Sequence, residues 1–277
     1  MTDHIENILG ATIQHGTYND RIYLMKLGTA DPARLIPRLS ALAHRNGYSK
    51  IFAKAPASKA RPFLIHDYRE EASIPGFYNG KEEALFLCCY PKSNRKNEPM
   101  MQILDDIMVS TRERQNAGIQ KKLRDDATLR ACTETDVEAM AQIYAQVFPS
   151  YPFPIHDPDY LLETMQSHVA YFGIEIDGRL VALSSAEMDT DGQNVEMTDF
   201  ATLPEFCGNG FAAHLLAAME PEVIKHGIKT AYTIARAASP GMNITFARLG
   251  YSYGGRLINN TQISGHIESM NVWHKPL

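Results

Sequence analysis

The sequence predicts an α/β fold of the α+β kind: a mixed sheet with flanking helices over residues 126–277, preceded by a smaller αβ domain over residues 1–125. Three observations predict it. Residues 171–176 and 180–188 are apolar runs joined by Asp177-Gly178, the pattern of an antiparallel hairpin. Residues 195–235 then read strand, glycine-bearing turn, helix and strand, a βαβ unit whose two strands run parallel. Finally, 277 residues supply about two domains, with a polar, turn-rich break at residues 91–98.

The elements follow in order. Ahead of the break, residues 84–90 form the longest apolar run, of strand length and far short of the ~18 residues of a membrane span. Behind it, Met100, Ile103, Leu104, Ile107 and Met108 recur at helical spacing. Residues 112–124 continue as a charged, helix-tolerant stretch, so the domain boundary is set near residue 125. The second domain opens with a helix capped by Thr133 or Thr135, its apolar stripe formed by Val137, Met140, Tyr144, Val147 and Phe148. Residues 151–156 are an aromatic, proline-stiffened loop, and Asp157-Pro158 is an N-cap with proline at the first helical position. After the hairpin come a strand over 195–203, a helix over 209–225 that Pro221 should kink or divide, and a strand over 230–235. A helix over 243–249 and strands over 253–263 and 267–274 complete the domain.

The chain also echoes itself. Residues 47–56, then Phe63 and Tyr68, parallel residues 227–236, then Phe246 and Tyr251, with the aromatic five residues before the tyrosine in both. The echo suggests that the N-terminal domain repeats the later strand–helix–strand half of the C-terminal one, without a counterpart to its glycine turn; chance similarity of two αβ units is the alternative. Residues 1–125 carry nineteen Lys and Arg against fourteen Asp and Glu, net +5; the remaining eight against eighteen give −10. A domain so acidic favours a cationic substrate through its summed field. The overall −5 argues against nucleic acid as a partner. Cys88, Cys89, Cys132 and Cys207 show no CxxC spacing, and the Met1-Thr2-Asp3-His4 start lacks a signal segment, so a cytoplasmic protein away from membranes is expected. None of the ten histidines has metal-ligand spacing, and no metal is expected.

The densest chemistry lies in residues 200–216. A strand ends at Leu203, Pro204 opens a loop, and Gly208 and Gly210 flank the start of a helix whose buried face carries Phe211, Leu215 and Leu216. Glycines let the backbone approach a ligand closely, and the unpaired first N–H groups, with the helix dipole, hold a pyrophosphate without a lysine. Alone, such a turn is more often a plain strand-to-helix connection with no ligand. About thirty residues on stands an Asn-x-x-Phe-x-x-x-Gly-Tyr block made by Asn243, Phe246, Gly250 and Tyr251.

Together the two blocks resemble the GNAT N-acetyltransferase superfamily. The resemblance implies a GNAT-type sheet, with the N-terminal domain a degenerate half-GNAT repeat that is not catalytic. It implies acetyl-CoA as co-substrate, with its pyrophosphate on Cys207, Gly208, Asn209, Gly210, Phe211 and Ala212 and its pantetheine beside Asn243 and Phe246. Two positions depart from the pattern: Cys207 stands where Arg or Gln is usual, and Phe246 where the family often has a tyrosine acid. Residues 72–84, 196–203, 232–237 and 268–273 are similar to the β-lysine N6-acetyltransferase family. That resemblance implies a small-molecule amine substrate, acetylation of the terminal amine of β-lysine, and an osmolyte, Nε-acetyl-β-lysine, as product.

An alkylammonium must lose a proton before it attacks, and a carboxylate in the cleft is the natural base. Glu196 is the favoured base and Asp199 the runner-up; three apart on a strand, they face opposite sides unless a bulge intervenes. The backbone of Ala201, Thr202 and Leu203 should pair with the pantetheine amides, and an N–H there polarise the thioester carbonyl. Tyr232 is the first candidate acid and Tyr251 the second. For the acceptor, Arg236 can clamp the carboxylate, Glu187, Glu268 or Asp199 the β-ammonium, and Tyr151 and Phe153 can cover the methylene chain. Two alternatives stay open: another amine acceptor (polyamine, lysine or a protein amine), or an acyl-CoA-binding regulatory module without catalysis. A homodimer is also left open.

Overall fold

The computed structural model describes residues 3–277; the Met1-Thr2 start, read above for a signal segment, lies outside the described residues. The N-terminal part runs β1 (His4–Ile8), β2 (Ala11–Gly16), β3 (Arg21–Lys26), α1 (Pro32–Asn46), β4 (Lys50–Pro56), α2 (Arg61–Ile65), β5 (Arg69–Tyr78) and β6 (Glu82–Cys89). Then come α3 (Met101–Arg112), β7 (Ala127–Ala131), α4 (Val137–Val147) and α5 (Pro158–Ser167). The C-terminal part continues as β8 (Val169–Ile176), β9 (Arg179–Asp189), β10 (Asn194–Thr202), α6 (Phe211–Lys225), β11 (Thr230–Arg236), α7 (Pro240–Arg248), β12 (Ser252–Ile263) and β13 (His266–Pro276).

Thirteen strands among the described residues join in a single mixed sheet, in the order β1-β2-β3-β4-β6-β5-β12-β13-β11-β10-β9-β8-β7. The order is a repeat read from both ends. β3 and β4 pair in parallel, as do β10 and β11; β4 pairs antiparallel with β6, as β11 does with β13. The N-terminal part thus reproduces the whole β8–β13 succession with its two helices, more than the half suggested by the sequence, and lacks only counterparts to β7, α4 and α5. The echoed aromatics show the correspondence at atomic scale. Phe63 and Tyr68 meet edge to face at 5.2 Å and 79°, Phe246 and Tyr251 at 5.1 Å and 73°. In each pair the tyrosine N–H donates to the phenylalanine carbonyl, at 3.2 and 3.1 Å.

Alternation along the strands builds three apolar clusters. On β3, Ile22 and Leu24 pack beneath α1 with Leu35, Ile36 and Leu39; on β10, Val195 and Met197 pack beneath α6 with Leu215, Leu216 and Met219. The opposite sheet face carries the third cluster, where Tyr23, Phe52, Phe77 and Phe86 of the first repeat meet Tyr232, Leu257, Ile263 and Met270 of the second. The seam itself is narrow. β5 and β12 touch at the Ala72–Gly255 pair, where any Cβ on residue 255 would collide with the Glu71 carbonyl oxygen. Beside it the buried Glu71 carboxylate accepts from Lys50 Nζ at 3.2 Å and from the Ile258 N–H at 2.9 Å, pinning β5 to β12.

Three local expectations change. The helix that begins at Met101 ends at Arg112, because Asn116 and Gly118 take positive φ (60° and 69°) and their N–H groups bond the carbonyls of Ala247 and Arg248 at the end of α7. A strand, β7, precedes the α4 helix; its five residues, half-buried or exposed, hold one large apolar side chain, Leu129, too little alternation to announce a strand. Pro221 neither ends nor divides α6, which runs unbroken to Lys225. Asp157, by contrast, caps α5 as read, accepting from the Asp159 N–H at 3.0 Å. No helix among the described residues is long and apolar enough to cross a membrane.

Candidate active site

β10 and β11 pair only from Asn194–Thr230 to Glu196–Tyr232, yet β10 continues to Thr202 and β11 to Arg236. Beyond Glu196 the strands part, and the gap is a cavity of about 190 Å³ walled by Phe200, Ala235, Met242 and Phe246. On its other edge β10 shifts register against β9 between Thr198 and Ala201, and Asp199 takes a φ of 53°. This bulge settles a question that the sequence posed. It turns Asp199 back to the side of Glu196, so the two carboxylates line one cavity despite their odd spacing.

Between the end of β10 and the start of α6 lies the glycine turn. Gly208 and Gly210 have φ of 82° and 80°, and Gly210 is the N-cap of α6. The N–H groups of Gly208, Asn209, Gly210, Phe211 and Ala212 donate to no acceptor within the described residues, while a Cβ on Gly208 would meet open space. Free donors, a 15-residue helix dipole and clear space fit the diphosphate of CoA. Lys121, from the segment leading into β7, donates to the Gly208 carbonyl at 2.5 Å and brings a cation to the turn. Cys207 is exposed, its Sγ 3.7 Å from the Thr202 and Leu203 carbonyls. The Leu203 N–H donates to Val181, so it is spent on β9, while the alternation of an antiparallel ladder turns the Thr202 amide to the opposite edge.

A second cavity, of about 160 Å³, opens between the two repeats on the sheet face of the third apolar cluster, with Tyr160 and Thr164 of α5 along its side. One wall is acidic. Glu196 stands directly across the β9–β10 ladder from Glu187. Burial, and then the charge of Glu187, raises the Glu196 carboxyl to about 7, against smaller opposing effects of Lys54 and the Tyr232 hydroxyl. Asp199 accepts from Tyr151 Oη at 2.5 Å and Ser185 Oγ at 2.6 Å; burial nonetheless raises its pKa. Tyr232 is buried, accepts from Lys54 Nζ at 3.3 Å, and burial followed by the charge of Glu196 holds its proton far above neutrality. The aromatic loop closes the cavity with Tyr151 and Phe153.

Other candidate residues lie apart. Arg236 and Glu268 pair with each other in a two-pronged bridge at 2.6 and 2.9 Å, and Arg236 borders the strand gap rather than the inter-repeat cavity. The Asn243 amide is fully engaged: it donates to the Arg236 and Ser239 carbonyls and accepts from Asn271 and Trp273 at 2.8 and 2.9 Å, tying β11, α7 and β13 together. Phe246 walls the gap edge to face with Phe200, and Tyr251 sits in the core behind it with its hydroxyl turned toward Glu220. Sequence reasoning missed the opposite wall of the inter-repeat cavity, which the N-terminal repeat supplies through Gln14, Arg21, Tyr23, Phe52 and Lys54. Its one trace was the alternation of Arg21-Ile-Tyr-Leu-Met25, which places Arg21, Tyr23 and Met25 on the face away from α1.

Over residues 137–251 the chain matches the acetyltransferase (GNAT) family, and it belongs to that family. It is similar over nearly its whole length to the β-lysine N6-acetyltransferase of Methanococcus maripaludis, 39% identical with 99% of this chain and 98% of that one covered. The β-lysine N6-acetyltransferase of Methanosarcina mazei is 36% identical over 86% of this chain and 95% of its own. The N-acetyltransferase YodP of Bacillus subtilis is 30% identical over 96% of each.

Proposed function

We propose that this acetyl-CoA-dependent N-acetyltransferase takes β-lysine as its acceptor and acetylates the terminal N6 amine. One observation carries the reading: the cavity beside the strand gap presents Glu187, Glu196 and Asp199 to an amine at the point where β10 and β11 part. The full-length likeness to two β-lysine N6-acetyltransferases supports the choice of amine. Acetyl-CoA supplies the acetyl group as a thioester; Gly208–Ala212 hold its diphosphate, and the gap walled by Phe200 and Phe246 takes the pantetheine arm. Glu196, with its pKa near 7, removes the ammonium proton. Asp199, fixed by Tyr151 and Ser185, orients the amine. The amine nitrogen bonds to the thioester carbon and the C–S bond breaks; Tyr232 protonates the departing thiolate and recovers its proton from the second N–H that the nitrogen loses. Residues 1–125 are not catalytic in this reading; they complete the acceptor cavity. The absence of pairing among the four free cysteines favours the cytoplasm.

Steady-state release of CoA thiol with β-lysine, α-lysine and spermidine tests the proposal. The highest kcat/KM is expected with β-lysine. A preference for spermidine overturns the substrate assignment, and CoA binding without turnover of any amine overturns the catalytic one.

A further inference from the structure

The first repeat contributes something unusual to the acceptor cavity: a buried cation without an anion. Arg21 is 4% exposed, and no carboxylate among the described residues pairs with it. Asp3, whose charge reaches it through space, is held by the Tyr18 and Asn19 amides. The guanidinium is nevertheless fixed in place. Nη1 donates to the Asn260 carbonyl at 2.5 Å and to Thr261 Oγ1 at 3.0 Å, and the carbon of the fork lies 5.4 and 5.8 Å from the Tyr23 and Phe52 ring centres. Its Nε is buried and has no partner. Two amide oxygens beside it, Gln14 Oε1 and Asn260 Oδ1, are likewise buried and unpartnered, and all three side chains line the cavity. A buried charge and several unpaired polar atoms in one place are costly unless a ligand completes them.

Resting on the reading of the cavity as an amine-acceptor site, we propose that Arg21, with Gln14 and Asn260, is the subsite for the β-amino-acid head of the acceptor. Arg21 takes the carboxylate through Nε and its free edge, and the two amide oxygens accept from the β-ammonium. The acidic wall formed by Glu187, Glu196 and Asp199 takes the other amine, with the Tyr23, Phe52 and Tyr232 rings beside the methylenes between. Specificity then comes from the repeat that does no chemistry. A polyamine, cationic at both ends, would bring a second ammonium against a buried guanidinium, which excludes it by repulsion as much as β-lysine is selected by attraction.

The test compares β-lysine with β-lysine amide and with 1,4-diaminopentane, which keep both amines and lack the charged carboxylate. The wild-type enzyme should favour β-lysine over both. Arg21→Met should lower kcat/KM for β-lysine by about 100-fold, chiefly through KM, so that the preference over the two analogues collapses; Arg21→Lys should restore part of it. CoA affinity monitors the integrity of the fold. If Arg21→Met depresses all three substrates equally, or leaves the β-lysine preference intact, the subsite is overturned while β-lysine remains the acceptor. If the wild type instead acetylates α-lysine and the variant loses its preference over lysine amide, the subsite stands and the β-lysine assignment falls. A wild-type preference for amines without a carboxylate overturns both.

Discussion

At the residue scale, the central feature is a carboxylate whose environment suits it to the base role proposed for it at neutral pH. Glu196 is pushed up to about 7 by burial and by Glu187 across the ladder. Its deprotonated form is the active one, so kcat/KM should rise with pH and level off above about 7. Glu196→Gln should remove that limb and lower kcat/KM by about 10²- to 10⁴-fold, measured as thiol release across pH 5.5–9. An unchanged profile would assign the base elsewhere. The types and positions of Glu196 and Asp199 were legible in the sequence, but their shared orientation was not. It depends on a bulge in which Asp199, not a glycine, takes positive φ, and nothing in its one-letter context announces that. The pairing of Arg236 with Glu268 was hidden for a related reason. Each looks free in sequence, and only the β11–β13 pairing, which puts Arg236 opposite Met270, brings them together.

Among elements, the glycine turn was the most legible, because its conformation is written in residue types: both glycines take positive φ, where side chains are strained. Gly210→Asp adds that strain and sets a carboxylate among amides meant for phosphate, so CoA binding by calorimetry should vanish; unchanged affinity would move the diphosphate site elsewhere. Lys121 was not legible, since it reaches the turn from 87 positions earlier in the chain. Lys121→Ala should weaken CoA by about 2- to 5-fold, less at high salt, as befits one exposed cation near a diphosphate. The stretch over residues 112–124, helix-tolerant by composition, is not helix beyond Arg112 because tertiary bonds at Asn116 and Gly118 hold it otherwise.

For the whole molecule, the repeat was half visible. Phe63–Tyr68 and Phe246–Tyr251 carry it in sequence because both aromatics are buried in equivalent turns. The earlier strands left no such mark, since the first repeat has no glycine turn: α1 opens with Asp31, whose side chain caps the Ala33 N–H. The repeats share the third apolar cluster, and the Lys50–Glu71 pair of the first bonds Ile258 of the second, so urea should unfold the chain in one transition; two well-separated steps would contradict this. Glu71→Ala leaves Lys50 buried without its partner and should cost about 3–5 kcal/mol. Burial alone would raise the Glu71 pKa, but Lys50 and hydrogen bonds from Tyr90, Cys88 and Ile258 outweigh it and lower the value. Its stabilisation is therefore present at neutral pH and lost as pH falls through and below the ordinary carboxylate range, which acid titration of the urea midpoint in wild type and variant would show.

The proposed acceptor orientation sets the terminal amine at Glu196 and the head group at Arg21. The most direct measurement is the position of the acetyl group in the product of β-lysine and acetyl-CoA, read by NMR. Acetylation at N6 with the 3-amine free is expected. Acetylation at the 3-amine, or no acetylated product, would contradict the account.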